Sequence, residues 1–162
     1  PAATTVAEEI PIFVESLIES TKAINCKFSV HICFSRDYKL LFPHILEAKN
    51  VSQLALEMAN RDTLEGGLDE EARKGYEFLK FYKDNAPNLE IGLGVVDVHT
   101  DFVEPVDLIK DRITYALKIL KDSSKIYINP DCGLRTRTWK IARAKLTNLV
   151  DATRQVKKTL LS

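Results

Sequence analysis

Apolar positions along this chain switch between two periods in a regular order. Ile10, Phe13, Val14, Leu17 and Ile18 recur at three- and four-residue spacing, which predicts a helix with one buried face. Thr5 and Glu8 ahead of it have capping-box spacing, and Pro11 suits a first helical turn, which sets the start at about Ile10. Residues 26–34 alternate instead and are rich in β-formers, so a strand is expected there. Tyr38, Leu41, Phe42, Ile45 and Leu46 bring the helical stripe back, with Pro43 expected to bend it. Residues 51–57 are a second short strand, although the Leu-Ala-Leu centre also suits a helix. Residues 61–86 form a charged excursion. Gly66-Gly67 there is too brief for a phosphate loop and reads as a flexible turn, followed by an amphipathic helix carrying Ala72, Tyr76, Leu79 and Phe81. Residues 89–98 predict a third strand, whose Gly92 and Gly94 let neighbouring backbone pass closely. Pro105 starts a helix with Leu108, Ile109, Ile113, Leu117 and Leu120. A fourth strand is expected at 125–128, and a last helix from about 139 to 159.

One helix followed by four β-α units predicts an α/β fold: a parallel sheet of about four strands covered by helices. Such units make either a small open sheet or half of a (β/α)8 TIM barrel, which normally needs about 250 residues. The polar residues favour the barrel, because every predicted strand ends in side chains able to do chemistry, as when strands ring one pocket. No linker or low-complexity segment divides the chain, so residues 1–162 are expected to be a single domain.

Composition narrows the classes further. Basic and acidic side chains balance at 23 each, so charge gives no argument for nucleic acid or an anionic membrane. No apolar run approaches the ~20 residues of a membrane span, and no signal-peptide pattern is visible. Three cysteines, odd in number and far apart, argue against a disulfide scaffold and predict a cytoplasmic setting. The chain lacks an initiator methionine and opens on Pro1-Ala2-Ala3, which predicts an excised fragment.

The candidate chemistry sits at the strand ends. Cys132 follows Asn129-Pro130-Asp131, which should stop the fourth strand, and a thiol there is a nucleophile, a metal ligand or a small core residue. His31 and Cys33 are two apart on the first strand and face the same way. Glu57 ends the second strand and His99 the third. Two cysteines, one histidine and one carboxylate have the composition of a four-coordinate zinc site, with soft thiolates selecting that metal. Neither CxxC nor HExxH is present, however, and a His with two Cys is also what ordinary burial produces.

Four segments then match a known family in the right order and at similar separations. Val30-His31-Ile32-Cys33-Phe34-Ser35, Leu56-Glu57, Ile91-Gly92-Leu93-Gly94-Val95-Val96-Asp97-Val98-His99 and Asn129-Pro130-Asp131-Cys132-Gly133-Leu134-Arg135-Thr136-Arg137 resemble the C-terminal catalytic barrel of cobalamin-independent methionine synthase. The resemblance covers nearly all of the chain outside the 61–86 excursion. It implies a zinc-dependent methyltransferase that methylates the thiol of homocysteine, with His31, Cys33, Glu57 and Cys132 on zinc and His99 as proton donor. Asp97 shares the strand face with His99 and is expected either to orient its ring or to cap a loop. Leu-Glu-Met-Ala-Asn-Arg-Asp around Glu57 departs from the long enzymes' pattern and resembles the short, archaeal-type branch. That leaves two donors open, a methyltetrahydrofolate (polyglutamylated or not) and a methylcorrinoid protein.

The resemblance further implies that Pro1-Ala2 ends an Asp-Glu-Pro-Ala segment whose acids are absent. The chain would then hold the last four β/α units of a barrel and need an N-terminal half as partner. Such a piece should expose sheet edges and an apolar interior. Of the remaining residues, Cys26 is expected to be structural, His44 to lie on a helix surface, and Trp139 to be a packing anchor rather than a pterin platform. Arg135 and Arg137 either hold a polyglutamate tail or another carboxylate, or pair with nearby acids. Two other readings stand beside the enzyme. One is a non-catalytic, zinc-stabilised barrel piece. The other is a related corrinoid or coenzyme-M methyltransferase or a porphyrinogen decarboxylase, the last disfavoured by Cys33 and Cys132.

Overall fold

The computed structural model describes residues 6–35 and 37–161. The Thr5 cap and the Pro1-Ala2 segment lie outside them. The regular elements are α1 (Ile10–Thr21), β1 (Phe28–Ile32), β2 (Val51–Leu56), α2 (Phe78–Asn85), β3 (Glu90–Val96), α3 (Val106–Leu120), β4 (Ile126–Pro130) and α4 (Trp139–Leu161). The four strands form one sheet in the order β1-β2-β3-β4, and every pairing is parallel. Chain order therefore equals sheet order, as a run of β-α crossovers of one hand requires.

Register explains which face is buried. Ile32, Leu56, Leu93 and Ile128 lie side by side across the sheet, and all join the hydrophobic core. Ile109, Ile113 and Ala116 of α3 and Leu149, Ala152 and Val156 of α4 belong to the same core. The row on the other face is His31, Ala55, Gly92 and Tyr127. One step toward the strand starts, Ser29 donates to Gln53 at 2.7 Å, and Lys27 pairs with Glu90 at 3.0 Å. The open face is thus polar or small-residue. This corrects the expectation of an exposed apolar interior.

The structure departs from the periodicity in four further places. After β1 there is no α-helix but two 3-10 turns, Tyr38–Leu41 and His44–Glu47, divided at Pro43. Proline removes an N–H and pushes the residue before it to extended backbone, and Phe42 is extended with φ −98° and ψ 143°. His44 accordingly sits on a 3-10 turn, facing Glu47 at 3.6 Å. In the excursion, α2 starts only at Phe78, and Tyr76 belongs to a 3-10 turn, Lys74–Tyr76. Gly66-Gly67 is pinned rather than loose, since the Gly67 N–H donates to Asp111 at 2.8 Å. Lastly, Trp139 is 80% exposed and is not the packing anchor expected, and Cys26, expected to be structural, is an exposed free thiol.

A buried polar network joins the charged excursion to α3 and α4. Asp62 Oδ2 lies 2.9 Å from both Arg73 Nη1 and Arg112 Nε, and all three side chains are fully buried. Arg112 also donates to the carbonyls of Val95 (3.0 Å) and Thr63 (3.2 Å). Glu104 continues the chain of charges: Oε2 pairs with Lys145 of α4 at 2.9 Å, and Oε1 accepts the Asp97 N–H at 2.7 Å. These contacts tie α3 and α4 to the loops that leave β2 and β3. No helix among the described residues is long and apolar enough to cross a membrane.

Candidate metal centre

Every strand delivers its chemistry at the same end of the sheet. His31 is the penultimate residue of β1, and Cys33 is the first residue beyond it. Glu57 follows the last residue of β2, and Cys132 lies two past the end of β4. Parallel strands put all their C-terminal ends on one edge, so residues 101 positions apart meet. His31 Nε2 lies 3.3 Å from Cys132 Sγ. One ligand atom from each of His31, Cys33 and Cys132 falls within 4.8 Å of the others. A histidine nitrogen with two sulfurs is a soft donor set that fits zinc and does not fit magnesium or calcium.

Glu57 is outside that three-atom cluster, and its carboxylate is held by the protein. The side chain is completely buried, yet Oε2 accepts the Phe34 N–H at 2.9 Å and Oε1 lies 3.2 Å from His99 Nε2. Phe34 makes the first contact from a left-handed backbone (φ 57°), a conformation an aromatic residue seldom adopts. Its ring also meets the His99 ring edge-on, with centroids 5.4 Å apart. Tyr38 fixes the Glu57 backbone, its hydroxyl accepting the Glu57 N–H at 3.0 Å while lying 3.1 Å from the Glu57 carbonyl. Burial, together with the neighbouring Cys132 and Glu57, pushes the Cys33 thiol up from its ordinary value. Crowding of would-be anions is relieved by a cation among them.

Asp97 and His99 lie beyond β3 rather than on its face, which corrects the shared-strand geometry expected for them. Asp97 Oδ1 accepts the backbone N–H of His99 at 2.8 Å, the loop-capping arrangement, and the carboxylate beside the imidazole is that of Glu57. Arg137 pairs with Asp101 at 2.6 Å.

The periodicity gave no sign of Asp131. This fully buried carboxylate accepts three successive backbone N–H groups, from Met58 (2.9 Å), Ala59 (3.0 Å) and Asn60 (2.7 Å). Burial pushes its acid up to about 6, against the opposing pull of those three donors. A signal was present in the sequence: Asp131 immediately precedes Cys132, and Gly94 in the neighbouring strand leaves room above it. A Cβ at Gly94 would stand 2.1 Å from Asp131 Oδ1 and 2.6 Å from the Leu56 carbonyl.

Residues 15–155 match the family model described as cobalamin-independent synthase, catalytic domain. The chain is 46% identical to the methionine synthase of Thermoplasma acidophilum over 99% of its own length and 48% of that protein's. For the methionine synthase of Pyrococcus furiosus the identity is 39%, over 99% of this chain and 42% of the relative. The chain thus spans about half the length of the curated relatives it matches. Among solved structures, the fold superposes on a B12-independent methionine synthase from Shewanella sp. W3-18-1, in complex with selenomethionine, with a TM-score of 0.80 at 23% identity. That match covers 99% of this chain and 48% of the other.

Proposed function

Because the chain belongs to the cobalamin-independent synthase catalytic-domain family, we propose that it forms the metal-bearing part of a cytoplasmic methyltransferase that converts homocysteine to methionine. The observation that carries this reading is the convergence of His31, Cys33 and Cys132 within 4.8 Å, with Glu57 and His99 beside them. His31, Cys33 and Cys132 would hold a zinc ion, with the Glu57 carboxylate as a candidate fourth donor. When bound, zinc supplies the positive charge that lets a thiol of ordinary pKa near 8.5 lose its proton at neutral pH.

This chain's own groups do the rest. Phe34 N–H and His99 hold the Glu57 carboxylate, so this buried charge has protein partners whether or not it also faces a metal. With a methyltetrahydrofolate as donor, a sulfur–carbon bond forms and the donor's nitrogen–carbon bond breaks. The departing nitrogen takes a proton from His99, as general acid catalysis requires of a poor leaving group. Asp97 holds the His99 backbone in place. The methyl donor is a methyltetrahydrofolate or a methylcorrinoid protein. The remaining walls of the site come from an N-terminal half-barrel, consistent with relatives about twice as long.

The test is homocysteine methylation by the full-length parent polypeptide, run with each donor and with metal content measured alongside. Zinc-dependent methionine formation is expected. Glu57→Gln should keep zinc on its three remaining ligands while turnover falls at least about tenfold. Loss of zinc and of fold together in Glu57→Gln, with no methylation by the parent, would instead establish a purely structural site.

A further inference from the structure

We propose that Asp131 is a positioning residue, a strut that sets the spacing between Glu57 and Cys132 and so the shape of the metal site. This rests on the metal reading above. Glu57 and Cys132 come from β2 and β4, which are not neighbours, because β3 lies between them. Ordinary sheet hydrogen bonding therefore cannot fix their separation directly. Asp131 spans the gap. Its own N–H donates to Val96 of β3 at 2.9 Å, anchoring it to the intervening strand. Its carboxylate then reaches over β3 to the three N–H groups that immediately follow Glu57.

The crossing is possible only where β3 has no side chain. At Gly94 a Cβ would occupy the path of the Asp131 carboxylate, so the glycine and the acid form one device. The next residue in the chain after Asp131 is Cys132, and the residue before Met58 is Glu57. A shift of the strut therefore moves both donors with no intervening joint. Three N–H groups converging on one carboxylate also define its direction far better than a single hydrogen bond does.

The experiment compares wild type and Asp131→Asn for zinc affinity and for the absorption spectrum of the cobalt(II)-loaded protein. Asparagine keeps the volume but presents an NH2 to at least one of the three donors. Leu79→Ala, a buried core change on α2, controls for general loss of stability. Asp131→Asn should bind zinc roughly 10–100-fold more weakly and show altered cobalt d–d bands. Leu79→Ala should lose thermal stability yet keep the wild-type spectrum and affinity. If Asp131→Asn fails to fold, Asp131→Glu takes its place, since it keeps the charge but lengthens the strut, and the same losses are expected. Wild-type affinity and spectrum in a folded Asp131 variant would overturn the strut alone. A wild type that takes up neither metal would overturn the metal reading, and the strut with it.

Discussion

His99 is where the chemistry of the donor can be read from a single side chain. Its ring touches Glu57 on one side and remains exposed on the other. A folate nitrogen leaves as a poor group and needs a proton, whereas transfer from a methylcorrinoid breaks a metal–carbon bond and needs none. His99→Gln should therefore slow methylation by roughly 10²- to 10⁴-fold with a methyltetrahydrofolate and leave a methylcorrinoid reaction nearly unchanged. Metal content should stay at the wild-type level in both cases. Single-turnover rates of the parent enzyme with the two donors decide this, and an equal loss with both would remove the proton-donor role. The meeting of His31, Cys33 and Cys132 was legible from sequence because each is a rare, reactive type placed at a strand's C-terminal end. Of the two roles expected of Asp97, the fold shows the loop cap on the His99 N–H, and the shared strand face does not exist because β3 ends at Val96.

At the scale of elements, three of the strands and the two long helices followed from the sequence pattern, while β2 also suited a helix until its parallel pairing was seen. What failed was the connection after β1, where an apolar stripe suited to an α-helix contains Pro43 and settles into two 3-10 turns. In the charged segment 61–86, the sequence did not reveal which charges are buried. Asp62 and Arg73 are buried against Arg112 of α3, and Glu104 against Lys145 of α4. Only the fold brings these complementary charges together, and a pattern of polar residues cannot reveal which of them pair. Arg112→Met should strip Asp62 and Glu104 of a shared cation and cost about 3–5 kcal/mol. Equilibrium urea unfolding of the two proteins measures it, and a loss below about 1 kcal/mol would show the network to be dispensable.

For the whole molecule, the two sheet edges matter more than the open face. That face carries Ser29, His31, Gln53 and Tyr127, so water contact there costs little. β1 and β4 are the outer strands of the sheet, so among the described residues their free sides have no neighbouring strand. The 162-residue chain alone, even loaded with zinc, should give no measurable methylation of homocysteine and should self-associate through those edges. Mixing it with a separately produced N-terminal segment of the parent should restore both turnover and a defined particle, seen by activity assay and light scattering. Full activity from the chain alone would contradict the dependence. The contact between His31 and Cys132 also carries a consequence for how the chain is held together. It joins residues 101 apart, so an ion gripped by both acts as a cross-link on the unfolded polymer. In the chain-entropy model, closing a loop of that size removes enough freedom from the denatured chain to favour the native state by about 4–5 kcal/mol. That is comparable to the entire stability of a small domain. The ion that arms the site would then also be the clasp that keeps the first strand and the last from drifting apart.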